Sequence, residues 1–342
     1  MLKILIIRLS SLGDVILTTP LIKTVRELYP DSVINYCTKA EYTDVIRCNP
    51  NINKIIEADN DLTFNKLKAL KQKLQANNYD LIIDAHNKIN TFYLRLFLKG
   101  KKLKLKKYSF RKFLLVNFRI NLMKSLPPII QRYLHLLRAK RSNPLPQLFT
   151  TDSEKNKIDA LLINLKLITP PVEGKGKLNI ICIAPSSKHF TKTYPPELYA
   201  ELINKYDKNN YTFLLIGKGN DRKNIEIIRS KTGDNVIDLC DVLGILEIAE
   251  LMKRCLLVIT GDTGPTHIAE AAGTPIVMLA GSSVSEFGFY PQTKNSVVIE
   301  NNNLPCRPCS HIGSEFCPKG HFKCMRDITL DMILEKRDIL LN

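Results

Sequence analysis

The feature that most limits the fold is the alternation of short apolar strands with helical segments along nearly the whole chain. In the first half, strand patterns occur at 3–8, 33–37, 54–57, 80–84 and 102–106. In the second half, they recur at 179–184, 212–216, 236–239, 256–260, 275–279 and 296–299. Strands that alternate with helices pair in parallel through crossovers. The pattern therefore predicts an α/β protein with one helix-flanked parallel sheet in each half.

The length of the chain, 342 residues, favours two domains. Residues 166–177, rich in proline and glycine, predict a linker between an N-terminal domain at 1–165 and a C-terminal domain at 178–325. A last helix at 326–342 could pack back on the N-terminal domain. Two such domains would face each other across a cleft at the carboxyl ends of their strands.

Composition indicates a folded protein of a reducing compartment. Apolar residues make up 44% of the chain, but the apolar runs are short, so we expect no membrane span and no signal peptide. Nine scattered cysteines are typical of reduced thiols. A cytoplasmic location is the expectation.

The net charge of +17 is concentrated in one segment. Between Ala85 and Thr151 there are sixteen Lys or Arg and no Asp or Glu, with the densest run at 99–107. A field of one sign attracts an anionic partner. Nucleic acid and an anionic membrane leaflet are both candidates.

The stretch from Thr260 to His267, Thr-Gly-Asp-Thr-Gly-Pro-Thr-His, predicts an anion-binding turn between a buried strand and a helix. Pro265 suits the first helical turn, and Gly273 suits the position after the last. The hydroxyl and carboxylate side chains here could cap the helix, which is the ordinary interpretation. A capped turn has no need of His267, which favours a diphosphate site.

The first strand is followed by Arg8-Leu-Ser-Ser-Leu-Gly-Asp-Val15, which lacks the three glycines of a dinucleotide site. Hydride transfer is therefore disfavoured. Gly13 permits a close approach of the backbone. Asp14 is either a helix cap or a general base that takes a proton from an acceptor hydroxyl.

Two loops of the second half also follow strands at the same predicted sheet edge. The loop 185–195 carries Ser186, Ser187 and Lys192, and the lysine could neutralise a leaving diphosphate. In the loop 217–221, Asp221 could hold ribose hydroxyls, although helix capping explains it equally well.

Four cysteines lie within nineteen residues near the C-terminus. They could form a tetrahedral set for a structural zinc or iron ion, or they could be packed reduced thiols. The spacing does not match a common zinc ribbon. The set comprises Cys306, Cys309, Cys317 and Cys324.

Together these motifs resemble the bacterial ADP-heptose:lipopolysaccharide heptosyltransferases, glycosyltransferase family 9, of the GT-B fold. The most specific parts are Ser10-Ser-Leu-Gly-Asp14, Asp262-Thr-Gly-Pro-Thr-His267 and the cysteine-rich segment 306–325. The last resembles the second-heptose enzymes more than the first-heptose enzymes. The resemblance implies an inverting transfer of heptose from ADP-heptose to the anionic inner core of lipopolysaccharide, without a catalytic cofactor. It also implies peripheral association with the cytoplasmic face of the inner membrane.

The resemblance assigns roles to individual positions. Asp14 and Lys192 are implied as catalytic. The implied donor-binding residues are Ser186, Ser187, Asp221, Leu243, Asp262, Thr263, Gly264 and His267. We expect acceptor contacts at Ser10, Gly13, Lys101, Lys102 and Arg111. Relatives usually carry a glutamate at the position of Asp221 and an aromatic, commonly Trp, at that of Tyr194, whereas this chain has no Trp.

Two alternatives stay open. A transferase of the same fold could use another nucleotide-sugar donor or another acceptor, since the loops define a diphosphate better than they define a sugar. A basic RNA-binding protein is the alternative of a different class. The sequence lacks interleaved exposed aromatics and any recognisable RNA motif, so no nucleic acid is expected.

Overall fold

The computed structural model describes residues 1–139, 144–169 and 178–341. Strands β1 to β11 span Lys3–Ile7, Val33–Lys39, Lys54–Ala58, Leu81–Asp84, Lys101–Lys104, Leu178–Ala184, Thr212–Leu215, Val236–Asp238, Cys255–Gly261, Ile276–Ala280 and Ser296–Glu300. Helices α1 to α13 span Leu12–Ile16, Thr19–Leu28, Phe64–Gln75, Ile89–Leu96, Ser109–Phe118, Ile129–Leu134, Asp152–Asn164, Pro196–Asn204, Arg222–Arg229, Ile245–Arg254, Gly264–Ala272, Lys323–Arg326 and Leu330–Leu341. Every strand that the sequence predicts is found.

The chain forms two compact units, Met1–Tyr108 with Pro127–Phe149, and Ser109–Leu126 with Thr150–Asn342. Residues 109–126 and 150–165 thus lie in the second unit. The predicted boundary at residue 165 would place them in the N-terminal domain. Hydrophobic packing explains the first of these segments, because Leu115 and Met123 form a core cluster with Phe287. Residues 170–177 of the predicted linker lie outside the described residues.

The first unit is built on a parallel sheet with the strand order β3-β2-β1-β4-β5. Leucines at helical spacing on α3 pack against its central strands, as the sequence predicts. The chain passes from β1 outward to β3 and then returns to β4 on the other side of β1. The crossovers therefore change direction between β1 and β4, which creates a crevice at the carboxyl ends of these strands.

The second unit contains a parallel sheet with the order β11-β10-β9-β6-β7-β8. The change of direction here lies between β6 and β9, by the same topological argument. A hydrophobic cluster joins one face of these strands to α8, α9, α12 and α13, the last through Ile333. Helix α13 packs against α8, β10 and β11, so it belongs to the second unit and not to the N-terminal domain. The predicted α/β class is confirmed.

Two predicted helices are interrupted. The sequence of residues 15–28 predicts one continuous helix. In the structure α1 ends before Leu17 and α2 begins at Thr19. Thr18 lies at the break, where its hydroxyl donates to the Val15 carbonyl and shares a hydrogen bond of 2.6 Å with the Tyr36 hydroxyl. These contacts and the Pro20 ring fix the start of α2.

The sequence of residues 110–141 predicts two helices separated by Pro127 and Pro128. Residues 140 and 141 lie outside the described residues, and in the described part the helices are separated there but shorter than expected. Helix α5 ends at Phe118, and Arg119 follows in the left-handed region with φ of 60°. In the described part of the chain, no helix combines the length and the apolar character needed to cross a membrane.

Candidate functional site

Asp14 lies in the turn that follows β1, at the topological switch point of the first sheet. Ser11 is the N-cap of α1, and Asp14 occupies the third helical position. The Asp14 Oδ2 atom accepts hydrogen bonds from the Ser11 amide at 3.4 Å and the Ser11 hydroxyl at 3.1 Å. Asp14 is therefore not the cap itself; it completes a capping box with Ser11.

Arg8, which the sequence analysis did not use, holds this turn in place. Its guanidinium forms an ion pair with Asp14 and donates to the carbonyls of Ser10 and Ala85, both at 2.7 Å. One buried side chain thus joins the end of β1, the α1 turn and the end of β4. A charged residue directly after four buried strand residues was the available signal in the sequence.

The electrostatic environment keeps Asp14 ionised. Burial alone would raise the pKa of Asp14, but the Arg8 charge and the Ser11 hydrogen bonds outweigh it and hold the pKa below its ordinary value. Burial raises the pKa of Tyr133, so its hydroxyl stays protonated. This hydroxyl donates to Asp14 Oδ1 at 3.4 Å. The result is a positioned carboxylate that can accept a proton.

A second unpredicted residue, His86, follows β4 at the same edge. Its side chain is buried, and its Nδ1 atom has no hydrogen-bond partner among the described residues. Burial, together with the charges of Arg8 and Lys88, lowers the pKa of His86 to about 3. The imidazole is therefore neutral at physiological pH.

The structure separates the predicted acceptor residues. Ser10 and Gly13 belong to the Asp14 turn. Lys101 and Lys102 pair with Leu81 and Ile82 at the start of β4. They therefore lie toward the amino ends of the parallel strands, whereas Asp14 lies at the carboxyl ends. The structure therefore does not bring these two lysines to Asp14.

Arg111 is the remaining predicted acceptor residue. It lies on α5 in the second unit, where its guanidinium donates to the Leu122 carbonyl. Among the cations of the basic segment, Lys107 is close enough to His86 to affect the pKa of that residue.

At the switch point of the second sheet, Lys192 meets Asp262. The Lys192 Nζ atom lies 2.6 Å from Asp262 Oδ2, and the Ser283 hydroxyl donates to the same oxygen at 2.6 Å. Lys192 ends a short 3-10 turn after β6, and Asp262 directly follows β9. The structure thus joins two residues that are seventy positions apart in the chain.

Two glycines allow the Lys192 turn to pack directly on the sheet. A Cβ atom on Gly261 would lie 2.7 Å from the Lys192 carbonyl oxygen, and one on Gly281 would lie 2.5 Å from the Thr191 carbonyl oxygen. Both distances are too short for any side chain. Gly261 lies in the predicted anion-binding stretch but was given no role of its own, and Gly281 was not recognised from the sequence.

Helix α11 begins beside this ion pair with an uncapped N-terminus. Thr263 is the N-cap residue, but no side chain makes a cap hydrogen bond. Thr266 instead donates to the Gly261 carbonyl at 2.5 Å, and Asp262 binds Lys192. Thr263 therefore occupies the N-cap position, as the sequence predicts, but the expected capping hydrogen bond is not formed. The positive end of the helix keeps amide donors for a ligand, as expected of an anion site.

Buried His267 lies in the first turns of α11, where the sequence predicts it. Its Nδ1 atom lies 3.6 Å from Glu270 Oε2 and has no hydrogen-bond partner among the described residues. Glu270 also accepts hydrogen bonds from the amides of Gln292 and Thr293 through its other oxygen. The helix ends as predicted, with Gly273 at φ of 73°.

The other predicted donor residues lie at the ends of neighbouring strands. Ser186 and Ser187 follow β6, Asp221 follows β7, and Leu243 follows β8. The ends of these three strands and of β9 lie at the same side of the sheet. Burial raises the pKa of Asp221, and nearby Asp241 adds to the effect. The structure thus places the predicted donor residues along the carboxyl ends of the strands in the second sheet.

The four C-terminal cysteines are reduced and do not form a preassembled metal centre. In the described ranges, no group of three or more His, Cys, Asp or Glu residues is arranged to hold an ion. Burial raises the pKa of Cys324 to about 12 and also raises that of Cys309. The Cys306 Sγ atom lies 3.8 Å from His321 Nε2.

Two arginines attach this cysteine-rich loop to the rest of the second unit. Arg119 donates to the carbonyls of Pro305, Cys306 and Pro308. Buried Arg307 donates to the Gly281 and Ser283 carbonyls at 2.7 and 2.8 Å. Because Ser283 binds Asp262, Arg307 connects the loop to the Lys192 site.

Parallel sheets with polar groups at their switch points are typical of nucleotide-binding enzymes. The family model of glycosyltransferase family 9 (heptosyltransferase) matches residues 67–319, so the chain belongs to this family and is a glycosyltransferase. It is 24% identical to lipooligosaccharide heptosyltransferase 2 of Haemophilus influenzae, covering 99% of both chains. It is also 24% identical to lipopolysaccharide heptosyltransferase 3 of Escherichia coli, covering 87% of this chain and 88% of the relative.

The fold agrees with a solved structure of the same family. The E. coli ADP-heptose LPS heptosyltransferase II superposes with a TM-score of 0.75 at 21% identity, covering 99% of this chain and 98% of that one. The predicted GT-B class, with two parallel α/β sheets, is confirmed.

Proposed function

We propose that the protein transfers heptose from ADP-heptose to the inner core of lipopolysaccharide, with inversion at the anomeric carbon. The observation that carries this proposal is the Lys192–Asp262–Ser283 cluster beside the uncapped start of α11. It lies within the residues that match the family model. The names of the relatives, which are heptosyltransferases of lipopolysaccharide or lipooligosaccharide, support the sugar and the acceptor class.

The proposed reaction is a single displacement. Asp14 takes the proton of an acceptor hydroxyl, and the oxygen attacks the anomeric carbon of heptose. The bond from that carbon to the diphosphate breaks, and ADP leaves with the electron pair. Lys192 and the amides at the start of α11 stabilise the negative charge as it develops on the diphosphate. Arg8 and Tyr133 hold the Asp14 carboxylate in its position.

The remaining donor contacts follow from the order of the strand ends. The hydroxyls of Ser186 and Ser187 would bind the diphosphate near the Lys192 turn. Asp221 would bind the ribose, and the backbone at Leu243 would contact the base. Thr263, Gly264 and His267 complete the proposed donor set at α11.

We propose acceptor binding at the Asp14 turn, through Ser10 and Gly13, and peripheral association with the cytoplasmic face of the inner membrane. The acid-free basic segment supports an anionic acceptor and an anionic surface. For a structural zinc or iron ion at the cysteine set, the described residues do not bring three or more candidate ligands together. Elemental analysis of the purified protein tests for such an ion.

The deciding experiment is incubation with ADP-heptose and truncated lipopolysaccharide acceptors, followed by mass measurement of the product. We expect a mass increase of one heptose residue. A parallel thermal-shift screen with ADP-, UDP- and GDP-sugars identifies the donor, because a bound ligand raises the unfolding midpoint. A midpoint that rises only with a UDP- or GDP-sugar would assign another donor. Tight RNA binding without sugar transfer would contradict the whole proposal.

A further inference from the structure

Helix α4 of the first unit exposes an apolar face where a surface helix normally carries polar residues. Ile89, Phe92 and Leu96 are 78%, 49% and 60% exposed, and Phe97 directly after the helix is 43% exposed. The spacing of Ile89, Phe92 and Leu96 places them along one side of the helix, and Phe97 follows at its C-terminal end. These four residues are here called the α4 apolar face.

The opposite side of α4 is already used by the fold. Thr91, Leu94 and Arg95 are buried, and Leu94 belongs to the hydrophobic core of the first unit. Arg95 forms an ion pair with Asp84 at the end of β4. The α4 apolar face is therefore not needed for the core, and contiguous exposed apolar surface of this kind marks an interaction site.

Three lysines lie next to the α4 apolar face. The Lys71 Nζ atom lies 4.5 Å from the centre of the Phe97 ring, and exposed Lys88 and Lys99 flank the helix at its two ends. No Asp or Glu occurs in the sequence between Ala85 and Thr151. The lysines of β5 also discourage edge-to-edge pairing of the sheet, whereas Lys71, Lys88 and Lys99 lie outside β5.

We infer that the α4 apolar face inserts into the interfacial region of an anionic lipid membrane. Apolar side chains bordered by lysines fit the boundary between acyl chains and negatively charged headgroups. Self-association is the competing use of such a face, but a second copy would bring the same cations into opposition. The inference deepens the proposed function, on which it rests for a lipid-linked acceptor.

The absence of Trp from the chain provides a clean reporter. The variant Leu96→Trp is mixed with vesicles of phosphatidylethanolamine and phosphatidylglycerol. We expect its tryptophan fluorescence emission to shift to shorter wavelength, because the indole enters an apolar environment. Leu28→Trp is the matched control, since Leu28 is 50% exposed in the same unit but lies outside the α4 apolar face. Its emission should not shift. Equal shifts for both variants, or none for Leu96→Trp, would overturn the inference.

Vesicle sedimentation separates insertion from charge attraction. The double variant Phe92→Ser/Leu96→Ser should lower binding to these vesicles about tenfold or more, at low and at high salt. Lys88→Glu/Lys99→Glu should lower binding chiefly at low salt, because salt screens charge but not apolar insertion. Leu28→Ser should leave binding unchanged. Unchanged binding of the Phe92→Ser/Leu96→Ser protein would contradict the inference.

Two further measurements separate the possible failures. Sedimentation velocity without lipid should show the same mass for wild type and Phe92→Ser/Leu96→Ser. A larger wild-type species that the double variant abolishes would make the face a contact between copies and overturn membrane insertion. Transfer to a delipidated, water-soluble acceptor should be unchanged in the double variant. If wild type binds vesicles but transfers heptose to no acceptor, the proposed function fails while the membrane surface stands.

Discussion

The two sheets carry similar ion pairs at their switch points, but the pairs have opposite orientations. At the first, the Arg8 side chain is 9% exposed and Asp14 is 18% exposed, so the carboxylate is the more accessible partner. At the second, Lys192 is 14% exposed and Asp262 is 8% exposed, so the cation is the more accessible partner. The same topology thus presents a negative group on one unit and a positive group on the other.

This difference accounts for the division of roles in the proposed reaction. An accessible carboxylate that is held ionised can accept a proton, whereas an accessible ammonium group can bind a diphosphate. The inner partner in each pair positions the outer one and balances its charge. If the buried and the exposed partner of either ion pair were exchanged, a charge of the wrong sign for the proposed role would lie at the strand ends of that unit.

Replacing the outer carboxylate should have the largest effect. We expect Asp14→Asn to lower kcat for transfer by about 10³-fold, because the amide cannot take the acceptor proton. ADP-sugar binding, measured by calorimetry, should persist because the donor residues lie in the second unit. Loss of donor binding with transfer intact would break the assigned division of roles.

Replacing the outer cation should have the next largest effect. We expect Lys192→Met to lower kcat/KM by about 10²-fold and to weaken ADP binding, since the diphosphate loses its neutralising charge. Lys188→Met is the matched control, because Lys188 is an exposed lysine of the same loop. Steady-state kinetics and ADP titration measure both variants. Equal losses in the two would indicate that only the net charge of the loop matters.

The sequence predicts the sheets well and the ion pairs poorly. Strands follow from local apolar and β-branched patterns, so all of those predicted are present. Asp14, Lys192 and Asp262 were identified because each follows a strand at the carboxyl edge. Packing between distant segments, such as Gly261 against the Lys192 turn, decides which partner of an ion pair is more exposed. No local sequence pattern encodes this difference in exposure.

Contacts and register between distant segments also explain which features the charge pattern did not anticipate. Lys101 and Lys102 were assigned to the acceptor from charge alone. The parallel register places them toward the amino ends of the strands, whereas Asp14 lies at the carboxyl ends. Arg8 was quoted in its motif yet given no role, because its three contacts involve segments up to seventy-seven residues apart. Charge density identifies a segment, whereas register decides which side chains reach a site.

Removing the inner cation of the first pair should change the pH dependence of transfer. Asp14 must be ionised to act, so activity falls as the pH drops through its pKa. Arg8 holds that pKa below its ordinary value, so Arg8→Gln should move the acidic limb of kcat/KM upward by about one pH unit or more. Arg8→Lys keeps the positive charge, so the acidic limb of kcat/KM should lie close to its wild-type pH. An unmoved limb in Arg8→Gln would show that Arg8 has no electrostatic effect on the base.

The smallest expected effect tests how the second pair is held in place. In Gly261→Ala, the new methyl group would lie 2.7 Å from the Lys192 carbonyl oxygen, so the turn must shift. We expect a destabilisation of about 1–3 kcal/mol in chemical denaturation and a modest rise in the KM for donor. Gly233→Ala meets its nearest neighbour at an ordinary 3.4 Å and serves as the control. If Gly261→Ala lowers stability but leaves the donor KM unchanged, the close packing of the turn serves the fold and not the position of Lys192. A raised donor KM in Gly261→Ala alone would tie the exposure of Lys192 to the absence of a side chain at the end of β9.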